Sequence, residues 1–302
     1  MMRNEMTGDR YVNPYTDFGF KMLFGSEINK ELLISFVNSL LGGREVIRDL
    51  KYLNTEHLGT SERDRRAVFD VYCENERGEK ILVEMQRGEQ QFFKDRSIYY
   101  STFPIREQGL RGEWDYELKA VYVIGILNFK FTNEEDTDNY HHEVKLVDLN
   151  TRKVFYDKLT FIYLEMPKFN KTETELESMF DKWMFVIRNL SRLMDRPVAL
   201  QERVFTRLFE SAEIAKFTRE QYEEYEDSLK AYRDWQNTIH AAVMKSLQEG
   251  IAQGREEGRE EGREEGRKEE RLKLARKFKA SGIPVSIIAE NTGLTEEEIA
   301  DL

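Results

Sequence analysis

Residues 66–86 read RAVFDVYCENERGEKILVEMQ, and this stretch decides the fold because it has the pattern of a β-hairpin. The segments 66–74 and 80–86 are rich in β-branched and aromatic residues, and the sequence Asn-Glu-Arg-Gly between them is typical of a turn. A three-residue loop gives a register in which Asp70 lies directly opposite Glu84. A four-residue loop shifts this pairing by one residue, so the register depends on the turn.

The pairing of Asp70 with Glu84 predicts a metal site. Directly opposite residues of an antiparallel pair have their Cβ atoms about 5 Å apart. Two carboxylates at that distance repel each other unless a proton or a cation lies between them. Mg²⁺ fits this arrangement, because it binds one or two carboxylates and completes its coordination with waters and substrate phosphate. Side chains alternate along a strand, so Gln86 points to the same face as Glu84.

The same residues carry a resemblance to a known family. Asp70, a Gly-containing turn and the run Glu-Met-Gln at 84–86 resemble the core motif of the PD-(D/E)XK nuclease superfamily, in the form found in the recombination-promoting nuclease and transposase family. The segments DFGFKMLFG at 17–25 and RSIYY at 96–100 add to the match, and the resemblance covers roughly residues 11–240.

This resemblance implies both a fold and an activity. The fold is α/β, with a restriction-endonuclease-like (PD-(D/E)XK) core, a helical extension and a helical C-terminal tail. The activity is that of a Mg- (or Mn-) dependent DNA endonuclease, a hydrolase of phosphodiester bonds linked to recombination, transposition or defence against foreign DNA. Gln86 stands where the superfamily motif has Lys, and Gln cannot act as a base. That departure motivates the alternative, a catalytically weak or inactive nuclease-like module that binds DNA or regulates and oligomerises through its tail.

The resemblance also assigns roles to residues of the hairpin and of the first helix. Asp70 and Glu84 would bind the metal, with the backbone carbonyl of Met85 as a further ligand. Gln86 would orient the attacking water or hold the scissile phosphate. Glu31 has two interpretations: a carboxylate favoured by the helix dipole, or a third acidic metal ligand of the kind that superfamily nucleases often carry on their first helix.

Contacts to DNA are expected from basic residues around this core. The resemblance marks Lys21 and Arg96 as residues that place the phosphate backbone. Arg96 and Tyr100 lie one turn apart on a predicted helix, so they can meet the same ligand, although a surface Arg beside a half-buried Tyr is an equal alternative. The arginines at 63, 65 and 66 either contact a nucleic-acid backbone or belong to an ordinary solvated connection.

The bulk properties limit the partners. The net charge is −11, from 46 basic and 57 acidic residues, which argues against a chain that coats nucleic acid but allows local basic clefts. The single cysteine, Cys73, excludes an internal disulfide and is expected to be a small core residue. No signal pattern and no apolar run approaching 18 residues is present, so we expect a cytoplasmic protein without membrane contact.

The remaining chain divides by periodicity. The run at 121–127 is typical of a central strand buried on both faces, and it completes the αβββαβ order of the nuclease core. His141 and His142 are expected to decorate a loop, since no third ligand stands at metal-binding spacing. Helical periods follow at 173–190, 198–217 and 221–248. The predicted divisions are a nuclease-like domain at 1–170, a helical extension at 171–249, a spacer at 250–270 and a helical appendage at 271–302.

The segment 250–266 repeats Gly-Arg-Glu-Glu with a period of four. This period pairs like charges at every i,i+4 position, and each interior glycine costs about 1 kcal/mol relative to alanine. The segment is therefore either a mobile spacer or a helix held by a partner chain. A basic helix at 268–279 and two short helices follow, of which the last is acidic and unsuited to the DNA major groove. We therefore expect residues 250–302 to bind a protein partner or a second copy of the chain.

Overall fold

The structure, a computed structural model, describes residues 9–43, 46–57, 67–88, 92–109, 116–131 and 138–302. The predicted contacts of the arginines at 63, 65 and 66 lie outside these residues. The chain divides into two compact units, Met1–Tyr232 and Arg233–Leu302. Within the described part, no helix is both long and apolar enough to cross a membrane.

A six-stranded mixed sheet forms the centre of the first unit, with strand order β1-β4-β5-β6-β8-β7. The sheet is antiparallel at β1–β4, β4–β5 and β7–β8 and parallel at β5–β6 and β6–β8. Its strands are β1 (Leu50–Tyr52), β4 (Val71–Asn75), β5 (Lys80–Gln86), β6 (Val121–Leu127), β7 (His141–Asp148) and β8 (Lys153–Glu165). A separate two-stranded sheet pairs β2 (Glu56–His57) with β3 (Ala67–Val68).

The hairpin β4–β5 has the register of the three-residue loop. Val71 lies opposite Val83 and Glu74 lies opposite Lys80. Gly78 has a φ of 80° in the turn, a left-handed conformation that glycine adopts without strain. One further step along this register brings Asp70, the residue just before β4, opposite Glu84.

Strand β6 is the buried centre of the sheet. All seven of its residues are buried, and parallel strands β5 and β8 flank it on both sides. Its uninterrupted apolar sequence allows burial on both faces, as the run at 121–127 predicts.

Eight α-helices are present among the described residues. The helix bounds are α1 (Asp17–Phe24), α2 (Lys30–Leu41), α3 (Phe93–Gln108), α4 (Met179–Asn189), α5 (Arg203–Ala212), α6 (Arg219–Ala280), α7 (Val285–Thr292) and α8 (Glu296–Ala300). The succession α2, β1, β4, β5, α3, β6 is the predicted αβββαβ order. The α/β fold class, with its helical extension and helical tail, is therefore confirmed.

Several helix ends differ from the sequence expectations. Asn29 precedes α2 but does not cap it with its side chain, because its Oδ1 accepts a hydrogen bond from the Ser211 hydroxyl at 3.0 Å while its amide nitrogen donates to the Met22 carbonyl at 2.8 Å. Gly42 ends α2 in a left-handed conformation, which is the usual role of glycine at the C-terminal end of a helix. The helix predicted at 198–217 spans only Arg203–Ala212, while the helix predicted at 221–248 extends through the repeat to Ala280.

The second unit contains a small apolar cluster of its own. Ala275 of α6, Ile288 of α7, and Leu294 and Ile299 at α8 are buried together. Thr295 caps α8 with a capping box, as its sequence predicts.

Candidate active site

Asp70 and Glu84 face each other just beyond the end of the β4–β5 pairing. Because β4 begins only at Val71, no backbone carbonyl of that strand reaches the Met85 N–H. Asp70 fills that position with its side chain, whose Oδ2 accepts the Met85 N–H at 2.7 Å. Glu84 lies within β5 and its side chain is only 12% exposed.

Burial makes this carboxylate pair costly to ionise. Desolvation raises the pKa of Asp70, and hydrogen bonding by Met85 offsets this in part. Desolvation also raises the pKa of Glu84, to about 8, and repulsion from Asp70 adds to the rise. Without a cation, the pair therefore holds a proton at neutral pH.

Three observations test whether a divalent cation fits here. Glu84 Oε1 is buried and has no hydrogen-bond partner among the described residues. The Gln86 carbonyl accepts the Asn128 N–H at 2.9 Å on the β6 side. Carbonyls alternate along a strand, so the Met85 carbonyl points to the Asp70 side. The donor set is thus two carboxylates with one carbonyl nearby, which fits a hard cation that keeps several waters.

Arg96 contacts both Glu84 and Gln86 of β5. Its Nη2 donates to Gln86 Oε1 and lies 3.7 Å from Glu84 Oε2. The guanidinium carbon also lies 5.3 Å from the centre of the Tyr100 ring, in cation–π contact. The structure therefore brings Arg96, Tyr100, Gln86 and Glu84 together, although Arg96 is only 30% exposed and faces the Glu84 carboxylate.

The Glu84 side chain has room on its sheet face because a glycine lies beside it on the neighbouring strand β6. Gly125 of β6 lies beside Glu84, and Tyr163 of β8 lies beside Gly125. A Cβ at Gly125 would lie 3.1 Å from the Tyr163 ring and 3.3 Å from the Phe93 ring. Tyr163 in turn shares a 2.6 Å hydrogen bond with Ser97 of α3. This packing fixes α3, and with it Arg96, against the sheet face that carries Glu84.

Helix α1 adds charge near Asp70. Lys21 Nζ pairs with Asp17 Oδ1 at 3.0 Å, and both side chains are about half exposed. Asp17 raises the pKa of Asp70, whereas Lys21 and Arg87 lower it. The sequence prediction included Lys21 but missed Asp17 and Arg87. The four-residue spacing of Asp17 and Lys21 on a helix is the sequence signal that links the two.

Glu31 is not brought to the carboxylate pair. Its Oε1 lies 2.8 Å from Arg207 Nε of α5. In the described ranges, no group of three or more His, Cys, Asp or Glu side chains has the arrangement of a metal site. The structure therefore favours the non-metal interpretation of Glu31, with Arg207 as its partner.

The histidine pair lies in the sheet and not in a loop, which corrects the sequence expectation. His141 and His142 begin β7, and His142 Nε2 is 2.6 Å from Oε1 of the buried Glu165. Lys168 Nζ approaches the same oxygen at 3.0 Å. The His141 ring packs against Phe180. Both histidines therefore have contacts that are typical of structural residues.

Comparison with known proteins places this geometry in a family. A family model described as PD-(D/E)XK nuclease family transposase matches residues 14–242. No curated protein and no solved structure matches the chain. The matched segment contains the carboxylate pair, Gln86, Arg96 and Lys21, so the resemblance found in the sequence is confirmed. Because the match covers well over half of its residues, the chain belongs to the PD-(D/E)XK nuclease family transposases.

Proposed function

We propose that this protein is a divalent-metal-dependent DNA endonuclease that uses Asp70 and Glu84 to hold Mg²⁺ or Mn²⁺. Membership of the family supports a nuclease or transposase-related function. The observation that carries the metal assignment is the buried pair itself, with a Glu84 oxygen that has no partner among the described residues. Burying two adjacent carboxylates in their ionised form is unfavourable unless a cation neutralises them.

The bound ion would lower the pKa of a coordinated water and stabilise charge on the phosphate. Asp70 is suited to bind this ion. The Met85 N–H donates a hydrogen bond to Asp70 Oδ2, and this bond also fixes the orientation of the second carboxylate oxygen. Glu84 supplies the partnerless Oε1. The Met85 carbonyl, on the same side of β5, is the candidate for a third protein ligand.

Gln86 acts as a hydrogen-bond donor in this proposal. Arg96 donates to Gln86 Oε1, so the Gln86 amide nitrogen is directed away from Arg96. An amide N–H₂ donates to phosphate or water oxygens and does not remove protons. Gln86 therefore holds the phosphate or orients the attacking water, and no general base is required of it.

Arg96 and Lys21 are the proposed phosphate contacts. Arg96 lies beside the metal ligands, and its cation–π contact with Tyr100 restricts the guanidinium. Lys21 is half exposed and lies within electrostatic range of Asp70. DNA that reaches the pair would meet both cations, despite the net charge of −11.

A second candidate function is a nuclease-like module that binds DNA or regulates without efficient turnover. Two observations favour it. Gln86 stands at the position of the motif Lys. The Arg96 guanidinium approaches Glu84, so its positive charge partly replaces that of a metal ion. It shares the DNA partner of the first candidate and differs in its rate of cleavage.

Cleavage of supercoiled plasmid tests both candidates. The protein should nick DNA with Mg²⁺ and stop with EDTA, and Glu84→Gln should not nick under either condition. Glu31→Gln is the matched control and should retain activity. Metal binding without cleavage would favour the second candidate. Equal cleavage by wild type and Glu84→Gln would contradict the site.

A further inference from the structure

Helix α6 presents a long exposed surface in the second unit. Every residue from 236 to 271 is exposed. Four aliphatic side chains form a row at four-residue spacing, in which each lies about 40° further around the helix than the one before: Ile239, Val243, Leu247 and Ile251, which are 47%, 58%, 54% and 47% exposed. Exposed aliphatic side chains in a continuous row are typical of an interaction surface.

The glycines of the repeat continue this row. Gly254, Gly258, Gly262 and Gly266 follow Ile251 at three- and four-residue intervals. A Cβ built on any of them would meet nothing within 4 Å, and none has a positive φ. Nothing described in this chain therefore requires glycine there, although glycine weakens a helix relative to alanine.

Opposite charges flank the glycine row. Successive residues of a helix are about 100° apart, so Arg255, Arg259 and Arg263 lie about 100° to one side of the glycines. Glu257, Glu261 and Glu265 lie on the other side, each about 60° from the glycine three residues before it. Among the described residues, none forms an ion pair with these three arginines.

We infer that α6 pairs in parallel with α6 of a second copy of this chain, along the aliphatic row and its glycine continuation. In a parallel pair related by a two-fold axis, the left flank of each helix faces the right flank of the other, so the Arg row of each copy faces the Glu row of its partner. An antiparallel pair would bring Arg to Arg and Glu to Glu. The charge pattern is therefore self-complementary in the parallel orientation alone.

The spacing of the row predicts the handedness of this pair. A four-residue period exceeds the 3.6 residues of a helical turn, so the contact row winds in the right-handed sense. Small residues along such a row let the two backbones approach closely. The glycines of the row then have a function in the dimer that they do not have in the single chain.

Sedimentation equilibrium of the full chain tests the pairing. Wild type should dimerise, and the triple change Arg255→Glu, Arg259→Glu and Arg263→Glu should weaken dimerisation on the order of tenfold or more. Adding Glu257→Arg, Glu261→Arg and Glu265→Arg to the same chain should restore it. The matched control reverses Glu256, Glu260 and Glu264 to Arg on the far side and should dimerise like wild type. A monomeric wild type, or triple-variant dimerisation equal to wild type, overturns the inference.

Cysteine cross-linking tests the orientation, since Cys73 is buried and is the single native cysteine. Ile251→Cys and Gly266→Cys should each form disulfide-linked dimers when oxidised alone, because a parallel pair brings each position to its own copy. Cross-linking only when the two variants are mixed would mean antiparallel pairing and would overturn the parallel arrangement.

Discussion

Replacing Glu84 with Gln should flatten the pH dependence of stability in metal-free protein. The pKa of Glu84 is raised from 4.5 to about 8 in the folded chain. The folded state therefore binds more protons than the unfolded state between these values, so the free energy of unfolding falls as pH rises through this window. At 1.36 kcal/mol for each pKa unit, the full shift corresponds to about 5 kcal/mol lost above pH 8, shared with the coupled Asp70.

Urea unfolding in EDTA between pH 5 and pH 9 measures this effect. The fluorescence of the buried Trp183 reports on the first unit. Wild type should lose stability toward pH 9, whereas Glu84→Gln should lose several kcal/mol less. Other groups titrate in the same range, so the difference between the two proteins is the quantity that matters, and the exposed Glu27→Gln is the control. Wild-type and Glu84→Gln curves that stay parallel would refute the assigned burial and repulsion.

Added Mg²⁺ should complete the same experiment. At pH 8 the ion should raise the stability of wild type, because it replaces the proton between the carboxylates. Glu84→Gln should gain much less. A gain of equal size in both proteins would mean that the ion binds elsewhere.

Three other predictions concern catalysis and the tail. Asp70→Asn should abolish Mg²⁺-dependent nicking while circular dichroism shows an unchanged fold, since Asn can still accept the Met85 N–H; full activity would remove Asp70 from the site. Gln86→Leu should lower the cleavage rate on the order of 100-fold, the scale of one catalytic hydrogen-bond donor, whereas Gln86→Lys should keep measurable activity; a Gln86→Leu rate equal to wild type would exclude the donor role. A chain truncated after Gln248 should fold and cleave but self-associate more weakly, since it lacks Ile251 and the glycine row, as measured by cleavage rate and sedimentation on one sample; an unfolded product would mean that the tail belongs to the core.

The hairpin was predictable because its determinants are local. Alternating side chains and the turn sequence leave two registers for Asp70 without knowledge of any other element, and the three-residue loop of the structure gives the one in which Asp70 lies opposite Glu84. Glu31 is different, since its position in a first helical turn allows several roles and only the packing of α5 supplies Arg207. The same holds for Asn29, a good capping residue by type, whose side-chain oxygen instead accepts a hydrogen bond from Ser211 of α5. Long-range partners of this kind leave no trace in local periodicity.

The repeat shows where helix-propensity arguments fail, because the structure has more helix there than the propensities predict. Glycines and like-charged neighbours predict a weak helix, yet α6 continues through all of them to Ala280. The sequence left two alternatives for this segment, a mobile spacer or a helix held by a partner chain, because helix propensity describes an isolated segment only, and the structure has the helix.

The hydrogen bond from the Met85 N–H to Asp70 has an evolutionary consequence. An Asn at this position would preserve the hydrogen bond and the strand geometry, and would remove only the negative charge on which the proposed metal site depends. A single substitution could therefore silence a descendant of this chain without disturbing its architecture. Active and inactive descendants of such a chain would share one fold and one hairpin register, and the acid or amide at position 70 would separate them.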